Sequence, residues 1–153
     1  MATVQPIPEG YSSVTPYLIV SKAEDALAFY EKAFNAKLHL RLDGPDGALA
    51  HCEFHIGNAV LMMGSENPQF GWKSPTTLGG TPVSFMVYTA NCDALFAQAL
   101  AAGCTQIEPL EDKFYGDRAG KVRCPFGNEW SIATHKEDLS QEEIVARMMK
   151  LYS

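Results

Sequence analysis

Three residues between Ala50 and Ile56 alternate in a pattern that can do chemistry. In Ala50-His51-Cys52-Glu53-Phe54-His55-Ile56, an extended backbone puts His51, Glu53 and His55 on one face and Cys52, Phe54 and Ile56 on the other. Two imidazoles flanking a carboxylate can bind a metal or move a proton. The same pattern also serves as a solvated or hydrogen-bonded strand face. A second group, Tyr115, Asp117 and Arg118, opens the stretch Phe114 to His135. An arginine fork suits a carboxylate or phosphate ligand, whereas an ion pair within this group would pin the entry to the following hairpin. Trp72 and Trp130 could stack on a ligand; Trp130 reads first as core or pocket wall, and Trp72 as part of a lid. Met62 and Met63 fill a core or adapt to a bound molecule.

Other chemistries lack their residues. There is no Ser-His-Asp order, P-loop or GxGxxG, so triad hydrolysis and nucleotide binding find no support. Cys52, Cys92, Cys104 and Cys124 stand far apart without CxxC spacing, which fits reduced thiols in a cytoplasm. A net charge of −6 argues against non-specific nucleic-acid binding, and no apolar run is long enough for a membrane span. The first ten residues, MATVQPIPEG, carry no basic-then-apolar export signal, so the expected location is cytoplasmic. At 153 residues the chain suits one domain.

The elements that must position these residues come in a repeated order. Val14 to Val20 reads as a strand, followed by a helix from about Ala23 to Phe34 with Ser21 as its N-cap. Lys37 to Leu42 is a strand; Ala48 to Phe54 and Ala59 to Met63 form a hairpin about Gly57-Asn58. Gly64 to Gly80, rich in Pro and Gly, reads as a long loop of the kind used for lids or partner contacts. Then Val83 to Thr89 is a strand, Cys92 to Ala102 a helix capped by Gly103, and Thr105 to Leu110 a strand. A second hairpin turns at Gly127-Asn128. Gln141 to Leu151 is a final helix, capped by Ser140 with Glu143 at its capping-box position, and Ile144, Met148 and Leu151 could dock it on this chain or on a neighbouring subunit.

A doubled β-α-β-β-β unit with these corners resembles the vicinal oxygen chelate superfamily of glyoxalase, bleomycin-resistance and dioxygenase proteins, and within it the PhnB-like branch. The resemblance rests on Pro16-Tyr17-Leu18, Ala28 to Phe34, His51-Cys52-Glu53, Phe114 to Arg118, Pro125-Phe126-Gly127, Trp130 and Ala133 to Asp138. It implies an α+β fold in which two repeats, about 12–66 and 81–138, form curved mixed sheets around a cleft with helices outside. The whole of 1–153 would be one such domain, with an extra C-terminal helix at about 140–151. Metal-dependent relatives hold a divalent ion through His, Gln and Glu on the first and fourth strands of each unit. Carried onto this chain, those positions fall at Thr15, near Met62 (or Leu61), near Ser84 (or Val83), and at Ser131. Hydroxyls and aliphatic or thioether chains do not hold such an ion, so no cofactor is expected.

The expectation is therefore a homodimeric, metal-independent small-molecule binding protein of the glyoxalase/bleomycin-resistance type, contacting neither nucleic acid nor membrane. Its ligand would meet Met62, Trp72, Tyr115, Arg118 and Trp130. The alternative is a lyase- or isomerase-type enzyme working through a relocated metal or through proton transfer by His51, Glu53 and His55.

Overall fold

Apolar periodicity becomes two helix-backed sheets in the computed structural model, which describes residues 3–153. The first unit, ending at Gly80, contains β1 (Tyr17–Val20), α1 (Ala23–Phe34), β2 (Lys37–Asp43), β3 (Leu49–Ile56), β4 (Ala59–Ser65) and a short α2 (Pro75–Leu78). The second, from Thr81 onward, contains β5 (Ser84–Tyr88), α3 (Cys92–Ala102), β6 (Thr105–Asp112), β7 (Asp117–Arg123), β8 (Glu129–His135) and α4 (Gln141–Leu151). Strand order is β1-β4-β3-β2 in one sheet and β5-β8-β7-β6 in the other. In each, the first strand runs parallel to the fourth and the remaining pairs are antiparallel. This is an α+β fold of two β-α-β-β-β repeats with a terminal helix.

α1 and α3 each cover one face of their own sheet. The stripe Ala23, Ala26, Leu27, Tyr30, Ala33 and Phe34 is buried, and the Tyr30 ring stacks on Phe54 of β3 at 5.7 Å. Cys92, Leu95, Phe96 and Ala99 do the same for α3. Trp130 and Phe85 stack at 4.7 Å in the second sheet's core, beside Val122 and Ile132.

Three expectations change. Ser21 does not cap α1: Lys22 occupies the cap position without a side-chain bond, and the first helical N–H, of Ala23, goes to Ser65 Oγ at 2.8 Å. In the second unit Thr134 Oγ1 accepts the N–H of Cys92 at 2.9 Å. Both hydroxyls sit at the far end of the fourth strand; α1 is thus capped by a tertiary contact alone, whereas α3 adds a local cap, Asn91 Oδ1 accepting the Ala94 N–H at 3.1 Å. The segment 64–80 is no structureless loop. Asn67 and Trp72 form a bridge around a 3-10 turn, and the Glu66 carboxylate accepts from Ser74 N (2.8 Å) and Thr77 Oγ1 (2.9 Å). On α4, Ser140 caps as expected, but the carboxylate of Glu143 turns to Arg147 at 2.9 Å instead of closing a capping box. Ile144 and Met148 are half-buried, while Leu151 is exposed. No helix among the described residues is long and apolar enough to cross a membrane.

Candidate functional site

Strand register lines up one row across the first sheet, on the face opposite α1. Tyr17 stands beside Met62, Met62 opposite Glu53, and Glu53 opposite Leu40. Two residues along, His51 and Leu42 share the same face. Glu53 is only 7% exposed, and a buried carboxylate is costly unless its oxygens are bonded. Here both are: the Tyr11 hydroxyl donates to Oε1, and His51 Nε2 lies 3.0 Å from Oε2. The hydroxyl of Tyr17 lies 2.9 Å from the other ring nitrogen, Nδ1. A carboxylate only accepts, so His51 donates from Nε2, and in the neutral form of the ring Nδ1 is left to receive the proton of Tyr17. The chain of contacts thus reads Tyr17, His51, Glu53, Tyr11.

The bond from Tyr11, seconded by His51, holds the Glu53 carboxyl below its usual range against the opposing effect of burial. The same contact pushes Tyr11 up, and burial pushes Tyr17 up. Glu53 is thereby an anion that fixes the His51 ring.

Trp72 covers the end of this row. Its ring lies 5.6 Å from Tyr17 and 5.4 Å from Phe70, and it stays 36% exposed. Gly64 allows the approach, because a Cβ there would sit 3.2 Å from the Tyr17 hydroxyl and 3.4 Å from the Trp72 ring. The third member of the alternating triplet, His55, packs edge-on against His39 at 5.2 Å, on the bulged segment of β2. His51, Glu53, Met62 and Trp72 are therefore brought together. Tyr17 and Tyr11, which complete the cluster, were missed. The alternation of β1 could have pointed to Tyr17, but nothing local marks Tyr11.

The second unit arranges its residues differently. Arg118 does not pair with Asp117. Alternation sends it toward α3, where its guanidinium bonds both oxygens of Asp93 at 2.9 Å and reaches Asp112 at 3.5 Å. Asp117, on the other face and 4% exposed, accepts from the Tyr88 hydroxyl (2.8 Å) and faces His135 Nδ1 (2.7 Å). His135 Nε2 continues to Asp138 at 2.8 Å, and a cavity of about 290 Å³ lined by Lys113, Gly116, Asp117 and Lys136 adjoins this group. Tyr115 is half-buried against Phe114. Trp130 is 2% exposed on the helix side of its sheet.

The family model for the glyoxalase/bleomycin resistance protein/dioxygenase superfamily matches residues 11–132. The chain belongs to this superfamily. An uncharacterised protein of Mycobacterium bovis is 42% identical over 139 residues, covering 89% of this chain and 91% of that protein. Among solved structures, TioX from Micromonospora sp. ML1 superposes with a TM-score of 0.65 at 22% identity, over 84% of this chain and all of its own. A PhnB protein from Bacillus cereus, described as a putative 3-demethylubiquinone-9 3-methyltransferase, gives 0.61 at 19%, over 80% and 99% of the two chains.

The divalent ion used by metal-dependent members of the superfamily does not fit these residues. On the row that would offer its ligands, Tyr17 neighbours Met62, and in the second unit Met86 neighbours Ser131. Ser84 lies on the same strand as Met86, and Thr15 precedes β1. A thioether and three hydroxyls are poor donors for a first-row divalent cation.

Proposed function

We propose that this chain is a small-molecule binding protein that works without the superfamily's metal and takes an aromatic or cationic compound on the face built from Tyr17, Met62, His51 and Trp72. The observation that carries this reading is the contiguous ring surface Phe70, Trp72, Tyr17 and His51, with neighbouring centroids 5.4–5.6 Å apart, laid over a Glu53 already bonded on both oxygens. Ring faces accept another ring or a cation. The acid beneath adds negative potential without demanding a partner of its own, and Met62 supplies a contact that adapts to shape. The exposed Leu40 and Leu42 extend the apolar rim.

Thermal-shift screening against aromatic and cationic compounds, with tryptophan fluorescence as a second readout, tests this. A bound compound raises the melting temperature by mass action and changes the emission of Trp72, and Trp72→Ala removes both effects. A screen whose hits stabilise Trp72→Ala equally would dismiss the site. The reading also has the protein as a cytoplasmic homodimer, supported by the apolar Val145, Met149 and Leu151 exposed on α4; sedimentation equilibrium measures the dimer directly.

A further inference from the structure

We propose that Tyr17 is a nucleophile activated by His51 and Glu53, able to take up an acyl group from a carbonyl-bearing ligand seated against Trp72. The proposal uses the face already read as the binding site and adds a reaction to it. Three features carry it. The Tyr17 hydroxyl lies 2.9 Å from His51 Nδ1, and His51 Nε2 lies 3.0 Å from Glu53 Oε2: nucleophile, base and orienting carboxylate in hydrogen-bond series. Glu53 is held in turn by Tyr11, so the carboxylate cannot swing away from the imidazole. The phenol is also reachable, since Tyr17 is 41% exposed beside the Trp72 ring.

The step balances without a further reagent. The Tyr17 oxygen attacks the carbonyl carbon while its proton passes to His51 Nδ1. The resulting imidazolium is stabilised by the adjacent Glu53 carboxylate, and the tetrahedral adduct collapses as His51 returns that proton to the departing oxygen, leaving acyl-Tyr17, a free alcohol or phenol and neutral His51. Burial keeps Tyr17 neutral at rest, so the reactive oxygen forms only as His51 takes the proton, as it does for a serine beside histidine.

The test uses p-nitrophenyl acetate on the full chain, with release of p-nitrophenolate followed by absorbance and the acetylated tyrosines mapped by peptide mass spectrometry. The chain has six tyrosines; Tyr152, 83% exposed, serves as the internal standard, and Tyr88, 60% exposed but bonded to Asp117, as a second comparison. Acetylation of Tyr17 ahead of both, slowed about tenfold or more relative to Tyr152 in His51→Gln and also lowered in Glu53→Gln, supports the proposal. Labelling that follows exposure, or that ignores His51→Gln, overturns it. So does p-nitrophenolate release that persists in Tyr17→Phe through an adduct on His51. Each variant is first matched to the wild type by circular dichroism, because unfolding would itself bring the ratio of Tyr17 to the already exposed Tyr152 toward one. Failure here leaves the binding reading standing if compounds still stabilise the wild type through Trp72. Selective labelling with no stabilising compound would have the opposite meaning.

Discussion

Asp117 and His135 face each other at 2.7 Å, from the start of β7 to the end of β8, and the other nitrogen of His135 meets Asp138 just before α4. An imidazole set between two carboxylates is favoured in its protonated form, so Asp117 and then Asp138 raise His135 above its ordinary 6.5. A raised folded value contributes stability that is complete below about pH 6.5 and is lost as pH climbs through that higher value. The melting temperature should fall as pH rises above about 6.5, and His135→Gln should flatten that limb. Equal slopes for the two proteins would refute the clamp.

Ser65 and Thr134 do the same work at equivalent ends of β4 and β8. Replacing either with Ala leaves the first N–H of α1 or α3 without its acceptor and should cost about 0.5–2 kcal/mol by denaturant unfolding. Thr134→Ser keeps the oxygen and should retain most of the stability.

Tyr11 governs the acid limit of the first unit. Its bond is the largest cause of the low Glu53 value, and a depressed carboxylate contributes stability that is present above its ordinary 4.5 and lost as pH falls through the folded value. Tyr11→Phe should lower stability near neutral pH and move the acid-unfolding midpoint upward, followed by circular dichroism. An unchanged midpoint would mean that His51 alone suffices.

Gly120 is required by packing. A Cβ there would come within 2.7 Å of the Phe96 ring and 3.0 Å of the Leu110 backbone nitrogen. Gly120→Ala should destabilise by about 1–3 kcal/mol, and Phe96→Leu in the same chain should recover part of that loss by freeing the ring contact. Strict additivity of the two changes would place the strain on Leu110.

Much of the fold was legible because its signals are local. The stripe from Ala23 to Phe34 marks the bounds of α1, and the Gly57-Asn58 and Gly127-Asn128 corners mark the hairpins. Two features of the site were legible and passed over. Neighbours on a strand point to opposite faces, so Arg118 could not share a face with Asp117. Likewise Trp130, Ile132 and Thr134 form the face opposite Ser131 and His135.

The amino-acid order by itself determined the two repeats, the helices and the alternation that sets His51 and Glu53 on one face, since each depends on residues within a turn or two of one another. Tertiary structure decided which partners those side chains meet. Tyr11 reaches Glu53 across 42 positions and Tyr17 reaches His51 across 34. Such contacts depend on the register between strands and the path of the chain ahead of β1. The buried Glu53 selects them because an anion out of water must be hydrogen-bonded, whatever the sequence distance of the donor.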